Sequence, residues 1–326
     1  MNSPLTIWCN AALCAPAEQR LAFGLAEHRL VFAQKRSASV LAAGPSDAGF
    51  LQADVVLGQP DAGDCLRSQK LRWLAVTSAG YGRYDTPDFL ETFRARGSVF
   101  TSSSSVFAEP CAQHVLAMML ALGRQLLASH AEQLGERRWQ FFERRAASVL
   151  LNGQTVVLLG YGTIARRLTE LLAPFGMKIY AVRRKTHSER GVHIISEERV
   201  SSVLGEADHI INLLPDNEAT ANYVNARRLS SCKPGARFYN IGRGSTVDER
   251  ALVQALENGR LGAAYLDVFA EEPLPPSSPL WAAPNCFLTP HTAGGRSDQD
   301  LALVAHFLQN FAAFVAGGVA MADRVV

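Results

Sequence analysis

Arg243, Glu272 and His291 are the residues of this 326-residue chain whose types and settings suggest chemistry. Arg243 lies in Asn240-Ile-Gly-Arg-Gly244, Glu272 in Asp267-Val-Phe-Ala-Glu-Glu-Pro-Leu274, and His291 in Thr289-Pro-His-Thr-Ala-Gly-Gly295. Each follows an apolar run that reads as a strand, and residues past the carboxyl ends of parallel strands collect in one crevice. Arginine grips a carboxylate through two parallel hydrogen bonds. Histidine can deliver a proton near neutral pH, and a carboxylate beside it holds the ring and favours its charged form. Together these groups suit reduction of a 2-oxo acid, which needs a cation for the carboxylate and a proton for the alkoxide formed as hydride arrives. Taken from the residues alone, Glu271 competes with Glu272, and Arg243 could equally serve a surface ion pair.

A hydride donor needs its own site, and Thr155-Val-Val-Leu-Leu-Gly-Tyr-Gly-Thr-Ile-Ala165 offers one. Five apolar or β-branched residues read as a strand covered on both faces. Gly160 and Gly162 then allow a sharp turn and the close approach of a pyrophosphate, which the start of a helix over Ile164 to Leu172 would favour. Ala165 takes the third glycine position of the dinucleotide fingerprint, where only close packing is required. The next strand, Met177 to Val182, ends at Arg183-Arg184-Lys185, where an NAD site would carry an acid. Guanidinium groups fork onto a 2'-phosphate, so NADP(H) is the expected coenzyme, with NAD(H) the lesser choice. A solvated basic loop would show the same run of charge.

The chain is 48% hydrophobic with a net charge of +2, enough apolar material for two domains and too little charge for a strong nucleic-acid or membrane field. Six cysteines without paired spacing read as reduced residues of a cytoplasmic protein, with no metal site expected. The amino terminus lacks a basic region followed by a long apolar run, so no signal peptide is expected. Val115 to Leu122 is too short an apolar run to span a bilayer.

Strands are expected over Leu5 to Cys9, Asp54 to Gly58, Leu74 to Thr77, Asp208 to Leu214, Ala236 to Ile241, Gly262 to Val268 and Cys286 to Leu288. Helices are expected over Ala17 to His28, Ala108 to His130 and Ser297 to Gly317, while Trp139 to Arg145 has no assignment. Alternating strands and helices imply parallel, doubly wound sheets. Ser78-Ala-Gly-Tyr-Gly82 follows a strand, and the backbone N–H groups of Ala79 and Gly80 could hold a carboxylate. His114, His130 and His306 read as packing or surface residues on helices, and His187 and His193 as loop residues.

These pieces, in this order, resemble the D-isomer-specific 2-hydroxyacid dehydrogenase family over nearly the whole chain. The resemblance rests on Gly160-Tyr-Gly-Thr-Ile-Ala165, Leu213-Leu-Pro-Asp-Asn-Glu-Ala-Thr220, Asn240 to Asp248, Leu266-Asp-Val-Phe269 with Glu272-Pro-Leu274, and Leu280-Trp281 leading to Thr289-Pro-His291. It implies two Rossmann-like domains: a discontinuous substrate domain over 1–106 and 291–326, and a coenzyme domain over 107–290. It makes Arg243 the substrate-binding arginine, Glu272 rather than Glu271 the acid paired with histidine, and His291 the general acid/base. Coenzyme contacts would come from Gly160, Tyr161, Gly162, Thr163, Ile164, Arg183, Arg184, Lys185, Leu214, Pro215, Ile241, Gly242, Arg243, Asp267, His291, Ala293 and Gly294. It further implies a homodimer and a cleft whose closure excludes water. The chain departs from the family pattern at Arg183, at Gly82, where an aspartate is usual, and at Gln113, where a glutamate is usual. The expected activity is NADPH-dependent reduction of a small 2-oxo acid such as glyoxylate or hydroxypyruvate to the D-2-hydroxy acid. A phosphoglycerate-type dehydrogenase and a nucleotide-sensing, corepressor-like binding protein are the competing readings.

Overall fold

The computed structural model describes residues 3–37, 43–183, 189–318 and 320–326. It separates into two compact units, residues 1–107 with 296–326, and residues 108–295. The divisions expected at 106/107 and 290/291 fall instead at 107/108 and 295/296. His291, Ala293 and Gly294 thus belong to the second unit, where backbone N–H groups of that turn are bonded to Asp267.

In the first unit, β1 (Thr6–Ala11), β2 (Arg29–Ser37), β3 (Val55–Leu57), β4 (Trp73–Ala75) and β5 (Val99–Thr101) form a parallel sheet in the order β2-β1-β3-β4-β5. Strand alternation divides the apolar side chains between two faces. Ile7, Cys9, Val55, Leu57 and Trp73 pack with Val304, Phe307 and Phe311 of the carboxyl-terminal helix Gln299–Val315. Trp8, Val56, Leu74 and Phe100 pack on the other side with Phe89 and Phe93 of the helix Pro87–Arg96. The Trp73 and Phe307 rings stack at 5.0 Å, so the chain's last helix is part of the core begun by its first strand. Two strands of this unit go beyond those expected from the sequence: β2, whose exposed cations and polar residues suit a sheet edge, and the three-residue β5.

In the second unit, β6 (Thr155–Leu159), β7 (Lys178–Val182), β8 (Val192–Ile195), β9 (His209–Asn212), β10 (Ala236–Asn240), β11 (Leu261–Leu266) and β12 (Cys286–Leu288) form a seven-stranded sheet ordered β12-β11-β10-β9-β6-β7-β8. Every pairing is parallel. The direction of winding reverses between β6 and β9, and ligands of such sheets bind outside the strand ends at that reversal. His193 lies in β8 rather than in a loop.

The helix expected over Ala108 to His130 is two helices, Ser104–Gly123 and Leu126–Leu134. Gln125 between them takes a left-handed backbone with φ 59°, which ends the first helix before the second begins. The first has 20 residues, with an 18-residue window of mean hydropathy 1.3, so it is long and apolar enough by composition to cross a membrane, unlike the shorter run Val115 to Leu122 within it. Half of that window is buried in protein, through residues such as Ala112, Val115 and Met119. The unassigned stretch at Trp139 contains the helix Phe141–Ala147.

One buried base ties the second sheet's stability to pH. His209 is fully buried on β9, where Nδ1 accepts from the Tyr239 hydroxyl at 3.0 Å and Nε2 donates to Gln154 Oε1 at 2.7 Å. Burial, aided by the charge of Arg237, pushes its pKa from 6.5 down to about 3. Between those values the unfolded chain binds a proton that the fold rejects, so stability is lost as pH falls through that window. Replacing His209 with Gln should flatten the decline by up to about 1.4 kcal/mol per pH unit, read by urea unfolding between pH 4.5 and 6.5. An unchanged slope would assign the acid sensitivity to other groups.

Candidate active site

The glycine turn follows β6 at the reversal point of the sheet. Gly160 has φ 96°, and a Cβ there would lie 3.2 Å from the Leu213 carbonyl oxygen, so the turn favours glycine on both counts. The helix Thr163–Leu172 starts from Gly162 without a side-chain cap and buries Ala165, Leu168 and Leu172. Its first turn, with Thr163 and Ile164, has the uncapped N–H groups that suit an anion, while Tyr161 is buried beside it. Leu214 and Pro215 follow β9, where Leu214 N–H donates to Asn212 Oδ1 at 3.4 Å and Thr220 Oγ1 to the Pro215 carbonyl at 2.6 Å.

Arg183 stands just past β7. Its Nη1 is a buried atom without a hydrogen-bond partner among the described residues, 3.8 Å from the carboxylate of Glu189. Arg166, on the helix after the glycine turn, reaches the same carboxylate at 3.5 Å. A buried guanidinium nitrogen lacking an acceptor fits an anionic ligand atom. Arg184, Lys185 and His187 lie outside the described residues.

Ile241, Gly242 and Arg243 follow β10. Gly242 N–H donates to Asn240 Oδ1 at 3.1 Å, and Arg243 Nη1 donates to the Gly242 carbonyl at 2.6 Å. Burial lowers the Arg243 pKa, opposed by the nearby charges of Asp216 and Glu272. Gly244 is where the chain comes closest to the next loop: a Cβ there would lie 1.8 Å from the Phe269 carbonyl carbon. Only glycine lets the Arg243 loop pack against the loop that carries Glu272.

Glu272 Oε1 accepts from the Phe269 N–H at 2.9 Å, and Oε2 lies 2.7 Å from His291 Nδ1. An ionised carboxylate only accepts, so Nδ1 carries the proton of this bond and Nε2 is the ring's other functional end. Glu271 is exposed. His291 takes a left-handed backbone, φ 53°, a strain of about 1–3 kcal/mol for a non-glycine residue. Its N–H donates to the Asp267 carbonyl at 2.9 Å. The Asp267 carboxylate, 2% exposed, accepts from Thr292 N–H at 2.8 Å, Ala293 N–H at 2.9 Å and Thr289 Oγ1 at 2.5 Å. Gly294 follows directly in this turn. The second unit thus brings Arg243, Glu272, Asp267 and His291 onto adjacent loops at the ends of β10, β11 and β12. Ala79 and Gly80 belong to the first unit, on the loop after β4, where Ser78 Oγ donates to the Gly80 carbonyl at 2.6 Å.

Residues 116–293 match the family described as D-isomer specific 2-hydroxyacid dehydrogenase, NAD binding domain. The chain is 34% identical over 264 residues to a glyoxylate reductase of Aeropyrum pernix, covering 78% of each. A D-isomer specific 2-hydroxyacid dehydrogenase of Xanthobacter autotrophicus Py2, solved with NADPH and MES, shares the fold with a TM-score of 0.81 at 24% identity, over 100% of this chain and 98% of that one. An NADPH-dependent glyoxylate/hydroxypyruvate reductase of Sinorhizobium meliloti, solved with NADP and malonate, superposes with a TM-score of 0.74 at 27% identity, over 100% and 97%. The chain therefore belongs to the D-isomer-specific 2-hydroxyacid dehydrogenase family and is a nicotinamide-dependent oxidoreductase of that class.

Proposed function

We propose that the protein reduces a small 2-oxo acid of the glyoxylate or hydroxypyruvate kind to the D-2-hydroxy acid, with NADPH as reductant. The observation that carries this reading is the His291–Glu272 bond at 2.7 Å, which commits Nδ1 and leaves Nε2 to deliver a proton. NADPH, when bound, supplies the hydride. Arg243 takes the substrate carboxylate in a bidentate grip. His291 gives its Nε2 proton to the substrate oxygen, and Glu272 stabilises the ring's charged form and holds its orientation.

The residues also accommodate the coenzyme. In this reading the backbone of Gly160, Tyr161, Gly162, Thr163 and Ile164 holds the pyrophosphate. Leu214, Pro215, Ile241 and Gly242 line the adjoining loops, and Asp267, Ala293 and Gly294 lie at the nicotinamide end. Arg183, with Arg184 and Lys185, receives the 2'-phosphate, as favoured by the buried Nη1 of Arg183, which has no hydrogen-bond partner among the described residues and only the ion pair with Glu189 at 3.8 Å. Cells keep NADPH reduced, so this preference goes with the reductive direction. The relatives named for glyoxylate and hydroxypyruvate reduction support the substrate class. All six cysteines are free, which suits the reducing cytoplasm we propose as its compartment.

The protein also acts, in this reading, as a homodimer. Trp139, Phe142 and Leu134 of the second unit are 92%, 80% and 73% exposed, an apolar surface that a second copy would cover.

Three measurements test these assignments. His291→Ala should lower kcat for glyoxylate by about 10²–10⁴-fold while NADPH binding, read by fluorescence, is retained; substantial remaining turnover would move the proton donor elsewhere. Arg183→Ala should lower kcat/KM for NADPH about 10- to 100-fold and spare NADH, whereas a wild type that works as well with NADH would end the 2'-phosphate assignment. Trp139→Glu with Phe142→Glu should sediment as a monomer where the wild type sediments as a dimer; a monomeric wild type would remove the interface. A protein that binds NADPH but turns over no 2-oxo acid would be a nucleotide-binding protein rather than a reductase.

A further inference from the structure

His114 does more than pack. It sits on the helix Ser104–Gly123, in the part belonging to the second unit, with its ring stacked on that of Tyr265 from β11 at 5.5 Å between centroids. Its Nε2 lies 2.6 Å from the Tyr265 hydroxyl, that hydroxyl lies 2.5 Å from Thr289 Oγ1, and Thr289 Oγ1 lies 2.5 Å from Asp267 Oδ1.

The direction of each bond follows from the far end. The Asp267 carboxylate accepts two backbone N–H groups besides Thr289, so it acts as an acceptor and Thr289 must donate to it. Thr289 has one proton, now committed, so its oxygen accepts from Tyr265. Burial pushes the Tyr265 pKa well up, with the charge of Asp267 adding to the effect, so the hydroxyl keeps the proton it donates. Tyr265 has likewise committed its only proton, and its oxygen must accept from His114 Nε2–H. Every donor points the same way, from the helix to the carboxylate, and bonds aligned head to tail polarise one another.

We propose that His114 is a positioning residue for reduction: a one-way chain of donors through Tyr265 and Thr289 fixes the Asp267 carboxylate, and with it the turn that holds His291. This rests on the reading of His291 as the proton donor. The link to that turn is direct, since Asp267 receives the N–H groups of His291, Thr292 and Ala293. Loss of the first donor leaves Tyr265 with an unsatisfied oxygen and a hydroxyl free to turn from Thr289. The last link then weakens on a strained backbone, where a small displacement of the acid is costly.

The test is steady-state glyoxylate reduction at saturating NADPH. His114→Phe keeps the stacked ring without a donor, and Tyr265→Phe removes the middle link. Each should lower kcat about tenfold, with the KM for NADPH, read from a separate NADPH titration at fixed glyoxylate, little changed. His114→Gln keeps an N–H donor and should restore most of the rate. The double variant H114F/Y265F should be no slower than Y265F, because one chain is broken only once. A wild-type kcat in H114F, a fall in H114Q as deep as in H114F, or multiplied losses in the double variant would overturn the proposal. Imidazole 15N NMR of the wild type at alkaline pH supplies a readout independent of activity. His114 should be the Nε2–H tautomer, and the Nδ1–H tautomer would break the chain at its first link. If H291A retains full activity, the proton-donor assignment fails, while the tautomer still reports on the chain itself.

Discussion

Burying the carboxylate of Asp267 sets most of the site's geometry. A carboxylate taken out of water must have its hydration replaced by donors. Asp267, 2% exposed, gathers a hydroxyl and two backbone N–H groups on its oxygens, while its carbonyl takes the N–H of His291. All these donors come from the short segment after β12, so satisfying one charge folds that segment into a tight turn with His291 in a left-handed conformation. The strain at His291 is held by bonds that would otherwise be missing from a buried charge. A second carboxylate, Glu272, then fixes the ring by its Nδ1.

The sheet makes this arrangement possible. Parallel strands deliver their following loops to one edge, so β10, β11 and β12 place Arg243, Asp267 with Glu272, and His291 side by side although they are far apart in sequence. The loops must pack closely for this to work, and Gly244 is the clearest sign of it, because its missing Cβ would overlap the backbone of Phe269. Glu249 adds a tie from outside the pair, its carboxylate accepting the N–H of Ala270 at 2.8 Å. Burial and the neighbouring Glu272 raise the pKa of Glu249, so this acid sits beside the one that holds the histidine.

Much of this is legible in the residues themselves. Strands buried on both faces, such as β6, β9 and β10, appear as apolar runs, and the turn after β6 announces itself by paired glycines. Residues that close such runs are readable as site candidates, which is why Arg243, Glu272 and His291 stand out. Elements whose character depends on neighbours are not legible in this way. The edge strand β2 carries polar residues because solvent covers it, β5 runs straight into the polar Ser102 to Ser105, and β8 carries His193 within its four residues. The break at Gln125 is a backbone conformation, which side-chain periodicity does not encode. The bonds of Asp267 to the turn after β12, and those between His114 and Tyr265, join residues from distant parts of the sequence. No local pattern marks any of these.

In the proposed mechanism His291 faces the reacting oxygen through Nε2 while Glu272 holds its other nitrogen. Crystals grown with NADPH and oxamate, a 2-oxo acid mimic, test it most directly. The oxamate carboxylate should lie on the Arg243 guanidinium, its carbonyl oxygen within hydrogen-bond distance of His291 Nε2, with the Nδ1 bond to Glu272 intact. Oxamate bound away from Arg243, or a His291 ring released from Glu272 with Nε2 turned from the ligand, would contradict it.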